Sequence, residues 1–310
     1  MEKKAEKSQV KKQRYITFFV MLVMLAASVF AQSCFAEPEH NYAVRKDLSV
    51  YFSNSDDVIC SIREAMKRRD WRVTITYRSH SDNTDDIPEL IRDLMAFALG
   101  ETDDPTEGDY IYHQYGGYEL KFSSDRSGSR YTHTVYIYPD HYTTGEQEKQ
   151  VTEAVNEVIE SFGFDESTTD HEKVRAVYDF VRDHTDFDEV HKKNENYHLK
   201  VTAFGALIYG RAVCQGYSVL MYRLLREVGI DARVITGTAQ YPDGEEFHAW
   251  NIVRIDDEYY NIDVTWDDQE DSEEYFLKSD EDFPFHIRDE QYATGDFYGR
   301  YPMAEKSYMP

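Results

Sequence analysis

Disulfides, basic charge and membrane-length apolar runs are all scarce in this 310-residue chain. It has three cysteines, and only Cys60 and Cys214 fall outside the first 36 residues. Two thiols make no disulfide framework of the kind that staples small secreted domains, so each needs its own account. Cys60 has one: Val58, Ile59, Ile62, Ala65 and Met66 recur around it at helical spacing, which predicts a small buried hydrophobe on a helix. Basic residues number 34 against 59 acidic ones, for a formal net charge of −25. Such a chain repels phosphate backbones, which excludes nucleic acid as a partner. The apolar run Ile16–Ala31 is shorter than the roughly 20 residues a spanning helix needs. The first half has no repeats or low-complexity segments, and neither a cofactor nor a metal is expected.

What is there begins with a leader. Lys3, Lys4, Lys7, Lys11, Lys12 and Arg14 precede the apolar run and small residues follow it, the layout of a secretory signal peptide over residues 1–36. Its removal takes away six basic and two acidic side chains and moves the formal charge from −25 to −29. Val29-Phe30-Ala31 and Cys34-Phe35-Ala36 both suit a signal peptidase. Ala31-Gln32-Ser33-Cys34 is a degenerate lipoprotein box that would place a lipid on Cys34. The expectation is a secreted or cell-surface protein, touching membrane only through that leader or lipid. Its partner is a protein or peptide substrate, cell-envelope material included.

Residues 37–165 read as a smaller α+β domain. A lead-in ending in the strand-like LSVYF precedes a helix that starts behind Ser55 as its cap. Trp71, Val73, Ile75 and Tyr77 alternate as a half-buried strand. Asp86 and Glu89 resemble a capping box for a helix with Ile87, Leu90, Ile91, Leu94, Phe97 and Ala98 on one face and Gly100 as its stop. Tyr110–Tyr115 and Tyr118–Phe122 flank Gly116-Gly117 and predict a hairpin, and Arg130–Tyr138 is a further strand. His113 and His133 then fall on strands, as sheet-face residues. A long helix starts near Thr144 and closes at Gly163. Without catalytic spacing, this unit reads as a specificity or docking domain. The polar stretch Gly163–Glu172 marks a boundary, and residues 166–310 form the second domain. There a helix carries Val174, Val177, Tyr178 and Val181. The polar segment Thr185–Lys200 reads as a loop bordering a cleft, with His191 and His198 at the surface.

Val213-Cys214-Gln215-Gly216-Tyr217 opens a helix that continues through Leu220, Met221, Leu224 and Leu225 and ends at Gly229. Cys214 thus sits in the first turn, where unpaired amides and the positive end of the helix dipole favour a thiolate and can face an oxyanion. Arg233–Thr238 alternates as a strand, and a turn follows at Pro242-Asp243-Gly244. Phe247–Val253 and Tyr259–Val264 then form a hairpin around Asp256-Asp257. Counting from that turn, His248 and Asp263 come to the same end of the hairpin, where cross-strand pairing sets the carboxylate beside the imidazole. A thiol, a base for its proton and an orienter for the base are the parts that nucleophilic thiol catalysis requires. Packing offers a plainer account of each: Cys214 as the first core residue of its helix, His248 as a structural strand histidine. Gly216 suits tight helix packing. Trp250, on the face of His248, walls the cleft or fills the core. Trp266 reads as structural, and the acidic run Asp267–Glu274 as a solvated face without calcium-loop spacing.

The stretches VCQGYS, HAWN and DVTW resemble the core of the transglutaminase-like superfamily, over roughly Thr169–Asp280. The resemblance implies a papain-like α+β fold, with the nucleophile helix packed on an antiparallel sheet. It implies Cys214 as nucleophile, His248 as base and acid, and Asp263 as orienter, with Gln215, Gly216, Tyr217 and Trp250 near the substrate. It leaves the side-chain oxyanion donor unplaced, with Gln215, Tyr197 and Tyr209 as candidates, and it does not cover residues 37–165. The expected reaction is attack on an amide of a protein or peptide to give a thioester, which water resolves in a peptidase or amidase. Resolution by an amine, in a protein-glutamine γ-glutamyltransferase making isopeptide crosslinks, is one alternative. A non-catalytic binding scaffold at the cell surface is another.

Overall fold

Two antiparallel sheets, a short parallel pair and three apolar cores organise the computed structural model, which describes residues 55–241 and 244–309. The leader, the Cys34 region and the LSVYF lead-in lie outside the described residues. Among those described, no helix is long and apolar enough to cross a membrane.

The first sheet has the order Val73–Ser79, Arg130–His141, Tyr115–Ser127. Alternation brings Val73, Ile75 and Tyr77 to one face beside Val135 and Ile137. That face is covered by Ile62 and Met66 of helix Ser55–Lys67 and by Leu90, Ile91 and Leu94 of helix Ile87–Ala98. Each such fully buried aliphatic side chain stabilises by about 1.5–3 kcal/mol. The N-terminal α+β unit therefore has a core of its own. Helix Gly145–Phe162, held by a Thr144–Gln147 capping box, sends Val151 and Val155 into the core around helix Cys214–Glu227. Tyr110, from before the last strand of the first sheet, joins the same core, so the two cores interleave along the chain.

Local expectations change at five points. Gly116-Gly117 is no hairpin turn: Tyr115–Ser127 is one strand with a register shift between Tyr115 and Tyr118. The glycines serve as a bulge, because Gly117 has φ +106° and a Cβ on Gly116 would lie 2.6 Å from the Asp140 carboxylate. Asp109–Tyr112, read as strand, is a helical turn, so His113 caps that turn and is not a sheet residue. Asp86 makes no side-chain cap bond, because a 3₁₀ turn, Thr84–Asp86, leads into the helix. Cys60 is half-buried. Trp71 precedes its strand and is 69% exposed, which leaves Val73, Ile75 and Tyr77 to make the buried face.

The second sheet has the order Glu258–Ile262, Gly244–Ile255, Ala232–Tyr241, His286–Arg288. Helix Cys214–Glu227 packs on it through Tyr217, Leu220, Met221 and Leu224, against Val234, Val253 and Ile262. The buried Asn251 amide fastens the two, donating to the carbonyls of Ser218 at 3.0 Å and Arg233 at 3.1 Å. A buried ionic knot joins this sheet to the N-terminal unit. Arg233 grips Asp109 with two bonds of 2.7 and 2.9 Å, and Glu101 lies 3.6 Å from the same guanidinium. Tyr222 of helix Cys214–Glu227 donates to Glu101 at 2.6 Å. Burial and the neighbouring Asp109 push the Glu101 carboxyl up to about 8. Asp109 faces the same burial, but the Arg233 charge overrides it and holds the group well below the usual carboxylate range.

Candidate active site

Cys214 is the first residue of its helix, with Val213 as the extended cap. The first intrahelical bonds are those of Gly216 and Tyr217 to the Val213 carbonyl. The amides of Cys214 and Gln215 therefore lie ahead of the ladder, at the positive end of the dipole, where a thiolate or an oxyanion gains most. The thiol and the His248 ring line the same cleft, near enough for the sulfur to act on the ring's charge. On the far side of that ring, His248 Nε2 lies 2.6 Å from Asp263 Oδ2. Both partners are almost fully buried, His248 at 3% and Asp263 at 1% exposure. An imidazole between a thiol and a carboxylate, out of water, is arranged to exist as an imidazolium. Burial alone would lower its pKa, but the Asp263 charge and hydrogen bond, with the Cys214 contact, raise it to about 10. Asp263 is held well below the usual carboxylate range: burial opposes this, and the His248 charge and the hydrogen bonds to it outweigh burial.

Asp263 reaches His248 by another route than the one expected. The strand ladder ends at Asn251↔Ile262, so Asp263 is not a cross-strand partner of His248. It is the N-cap of the helix Val264–Glu270, its Oδ1 accepting from the amides of Thr265 at 3.0 Å and Trp266 at 3.1 Å. One carboxylate oxygen is thus fixed by backbone, and the other faces imidazole. A second histidine shares that oxygen: His286 Nε2 lies 3.1 Å from Asp263 Oδ2. His248, Asp263 and His286 offer ligand atoms within 4.8 Å of one another, the one such group among the described residues. Their 2.6 and 3.1 Å separations are those of proton-bridged pairs, so an ion would have to displace those protons.

The cleft over Cys214 has a volume of about 610 Å³ and is lined by Phe187, Lys192, Val213, Tyr241, Phe247 and His248 among others. The polar segment Thr185–Lys200 does border it. Lys192 bridges to Glu246 on the opposite wall at 3.0 Å, and Lys200 caps the carbonyls of His191, Lys192 and Asn194, which shapes the loop. His191 is paired to Asp188 at 2.8 Å, and His198 stacks on Tyr142.

Of the residues expected near the substrate, Gln215 lines the cleft, but its amide nitrogen is committed to the His113 carbonyl at 2.5 Å. Gly216 is a packing residue, since a Cβ there would lie 2.6 Å from Ala212 Cβ and 2.8 Å from the Lys200 carbonyl. Tyr217 is wholly buried, its hydroxyl 2.8 Å from the Thr185 carbonyl and 2.9 Å from Asp268. Trp250 is 1% exposed and donates to Asn261, so it fills core behind the imidazoles. Tyr197 stacks on His191 and Tyr209 packs edge-on to Phe204; neither lines the cleft. The tyrosine that does is Tyr241, whose oxygen accepts from Trp266 Nε1 at 3.0 Å, leaving its own proton to donate. Trp266, expected as plain structure, lies 5.3 Å from the His248 ring. Glu270, Asp271, Glu273 and Glu274 of the acidic run are exposed, whereas Asp268 is half-buried and Asp267 is buried and accepts from Tyr178 at 2.7 Å.

Residues 160–264 match the family described as the transglutaminase-like superfamily. Kyphoscoliosis peptidase of Mus musculus is 28% identical over 125 residues, covering 37% of this chain and 18% of that protein. The Homo sapiens protein of the same name is 29% identical over 110 residues, covering 33% and 16%. The chain thus spans less than a fifth of the length of these relatives. A solved structure described as a TGase aligns over 47% of this chain and 44% of its own, at 21% identity and a TM-score of 0.34.

Proposed function

For a chain that belongs, through residues 160–264, to the transglutaminase-like superfamily, we propose the activity of an exported cysteine amidohydrolase acting on protein or peptide amides. The observation that carries the reading is one buried imidazole that shares a cleft with the Cys214 thiol and lies 2.6 Å from Asp263. Cys214 Sγ attacks the carbonyl carbon, and the oxyanion is met by amides at the helix start. The C–N bond breaks as His248 gives its proton to the leaving amine, and a thioester remains. Water, deprotonated by His248, then adds to the thioester, and the thiolate leaves. Asp263 holds the ring in orientation and stabilises its charge throughout. Hydrolysis is favoured by the exposure of Lys192, Lys193, Glu246 and Phe247 along the cleft, which gives water access to the thioester. The curated relatives are also named as peptidases. The charged and apolar leader supports export, and with it a substrate outside the cytoplasm.

A second reading, transfer to an amine, is favoured by one further feature. A neighbouring hollow of about 700 Å³, walled by Tyr241 and Trp266, carries Glu245 and Glu270, which suit a cationic amine. Both readings are tested together by incubating the protein with a peptide library and a fluorescent amine, with Cys214→Ala as the control. Cleavage lost in the control supports hydrolysis, and amine incorporation lost in the control supports transfer. Neither product above the control would overturn the enzyme reading.

A further inference from the structure

We propose that His286 is a positioning residue for Cys214–His248 chemistry: a second imidazolium that clamps Asp263 from the opposite side and sets the pH window in which the thiolate–imidazolium pair exists. The proposal rests on the cysteine-enzyme reading.

The ring is brought there by register. In the strand Ala232–Tyr241, Gly237 pairs with His248 on one side and Ala239 pairs with His286 on the other. Residues two apart share a face, so both imidazoles stand on the same side of that strand. They meet there because the two intervening positions are the small Gly237 and Ala239. Gly237 also permits the third strand to dock, since a Cβ there would lie 2.0 Å from the Ile287 carbonyl. The His286 side chain ends 1% exposed, its ring stacked 3.9 Å from Phe283 and boxed by Trp250, Trp266 and Tyr275.

Both of its ring nitrogens face acceptors. Nδ1 lies 3.0 Å from the Pro284 carbonyl and Nε2 lies 3.1 Å from Asp263 Oδ2. We take both contacts as donations by the ring, which makes it a cation in this proposal. The charged groups facing it are Asp263 and, 5.4 Å away between centroids, His248. Tyr275 adds a phenol on a further element, and Arg288, two residues along, is turned to Asn261 and Asp280. The result is a buried row of alternating sign: thiolate, His248, Asp263, His286. The second cation draws off part of the Asp263 field. Without it, the full carboxylate charge falls on its neighbours, so His248 holds its proton to higher pH and the thiolate forms at higher pH.

The test is the rate of Cys214 alkylation by iodoacetamide between pH 4 and 11, on wild type, His286→Gln, His286→Leu and His248→Ala. His286→Gln keeps an N–H for Asp263 and removes only the charge. The expected result is that both limbs of its profile move up by about one pH unit, so alkylation on the acid limb slows about tenfold. The leucine variant should shift further, because it also leaves Asp263 Oδ2 short of a donor. Should His286→Leu fail to fold, the glutamine variant decides alone. Wild-type limbs in His286→Gln, with only a lowered thermal midpoint, would overturn the proposal and leave His286 as packing. Failure of the enzyme reading looks different: wild type would then show one limb at the position of a free thiol, unchanged in His248→Ala.

Discussion

Each sheet carries a buried strand histidine, and the two have opposite surroundings. His133, in the N-terminal sheet, is 0% exposed, stacks on Tyr77 and ends 2.9 Å from the Ser79 hydroxyl. His248, in the second sheet, is 3% exposed and ends between a carboxylate and a thiol. Residue type, strand position and burial are shared. What separates the two rings is the charge of their partners, which only the fold assembles. The aspartates repeat the pattern. Asp109 is used up on Arg233, tying one unit to the other, whereas Asp263 divides its oxygens between a helix cap and two imidazoles.

The comparison breaks first at the histidines. His248→Ala should lower turnover by about 10²–10⁴-fold, the usual contribution of a general acid–base. His133→Asn should stay within about twofold of wild type in the same kcat/KM assay, with any loss confined to stability. Equal losses in both would erase the distinction. Next come the aspartates. Asp109→Asn leaves Arg233 buried against a neutral amide, and should lower the unfolding free energy by about 3–5 kcal/mol in urea. The activity of the remaining folded fraction should be unchanged. The smallest effect is on pH dependence. The folded pKa of His248, about 10, lies above its ordinary value of 6.5. Its contribution to stability is therefore full below pH 6.5 and is lost as pH rises toward 10. The urea midpoint should fall across that window, and His248→Ala should flatten the fall.

The positions of the candidate residues were legible in the sequence at the edges of elements. Cys214 announced itself by opening an amphipathic helix, and His248 by standing near the start of an alternating strand. Asp263 was legible as a residue but not in its placement. The reading of a cross-strand pair overlooked that Asp-Val-Thr-Trp is also a helix-cap signal, and it is the cap that fixes the carboxylate. His286 was not legible, because it returns on a three-residue strand, His286–Arg288, too short to show a period. The one signal available was the pair of small residues, Gly237 and Ala239, in an otherwise bulky strand. The Asp109–Arg233 tie joins residues 124 apart, and no local pattern foretells such a pair. Gly116-Gly117 misled for a related reason. A bulge and a turn demand the same backbone freedom, and the partner strand decides between them.

The central claim is that Cys214 and His248 form an ion pair at the cleft they both line. It is tested most directly by thiolate absorbance near 240 nm at pH 6, taken as the difference between the intact protein and Cys214→Ser. A thiolate signal that disappears in His248→Ala is the predicted result. No signal in the intact protein, or one that survives in His248→Ala, would contradict the account.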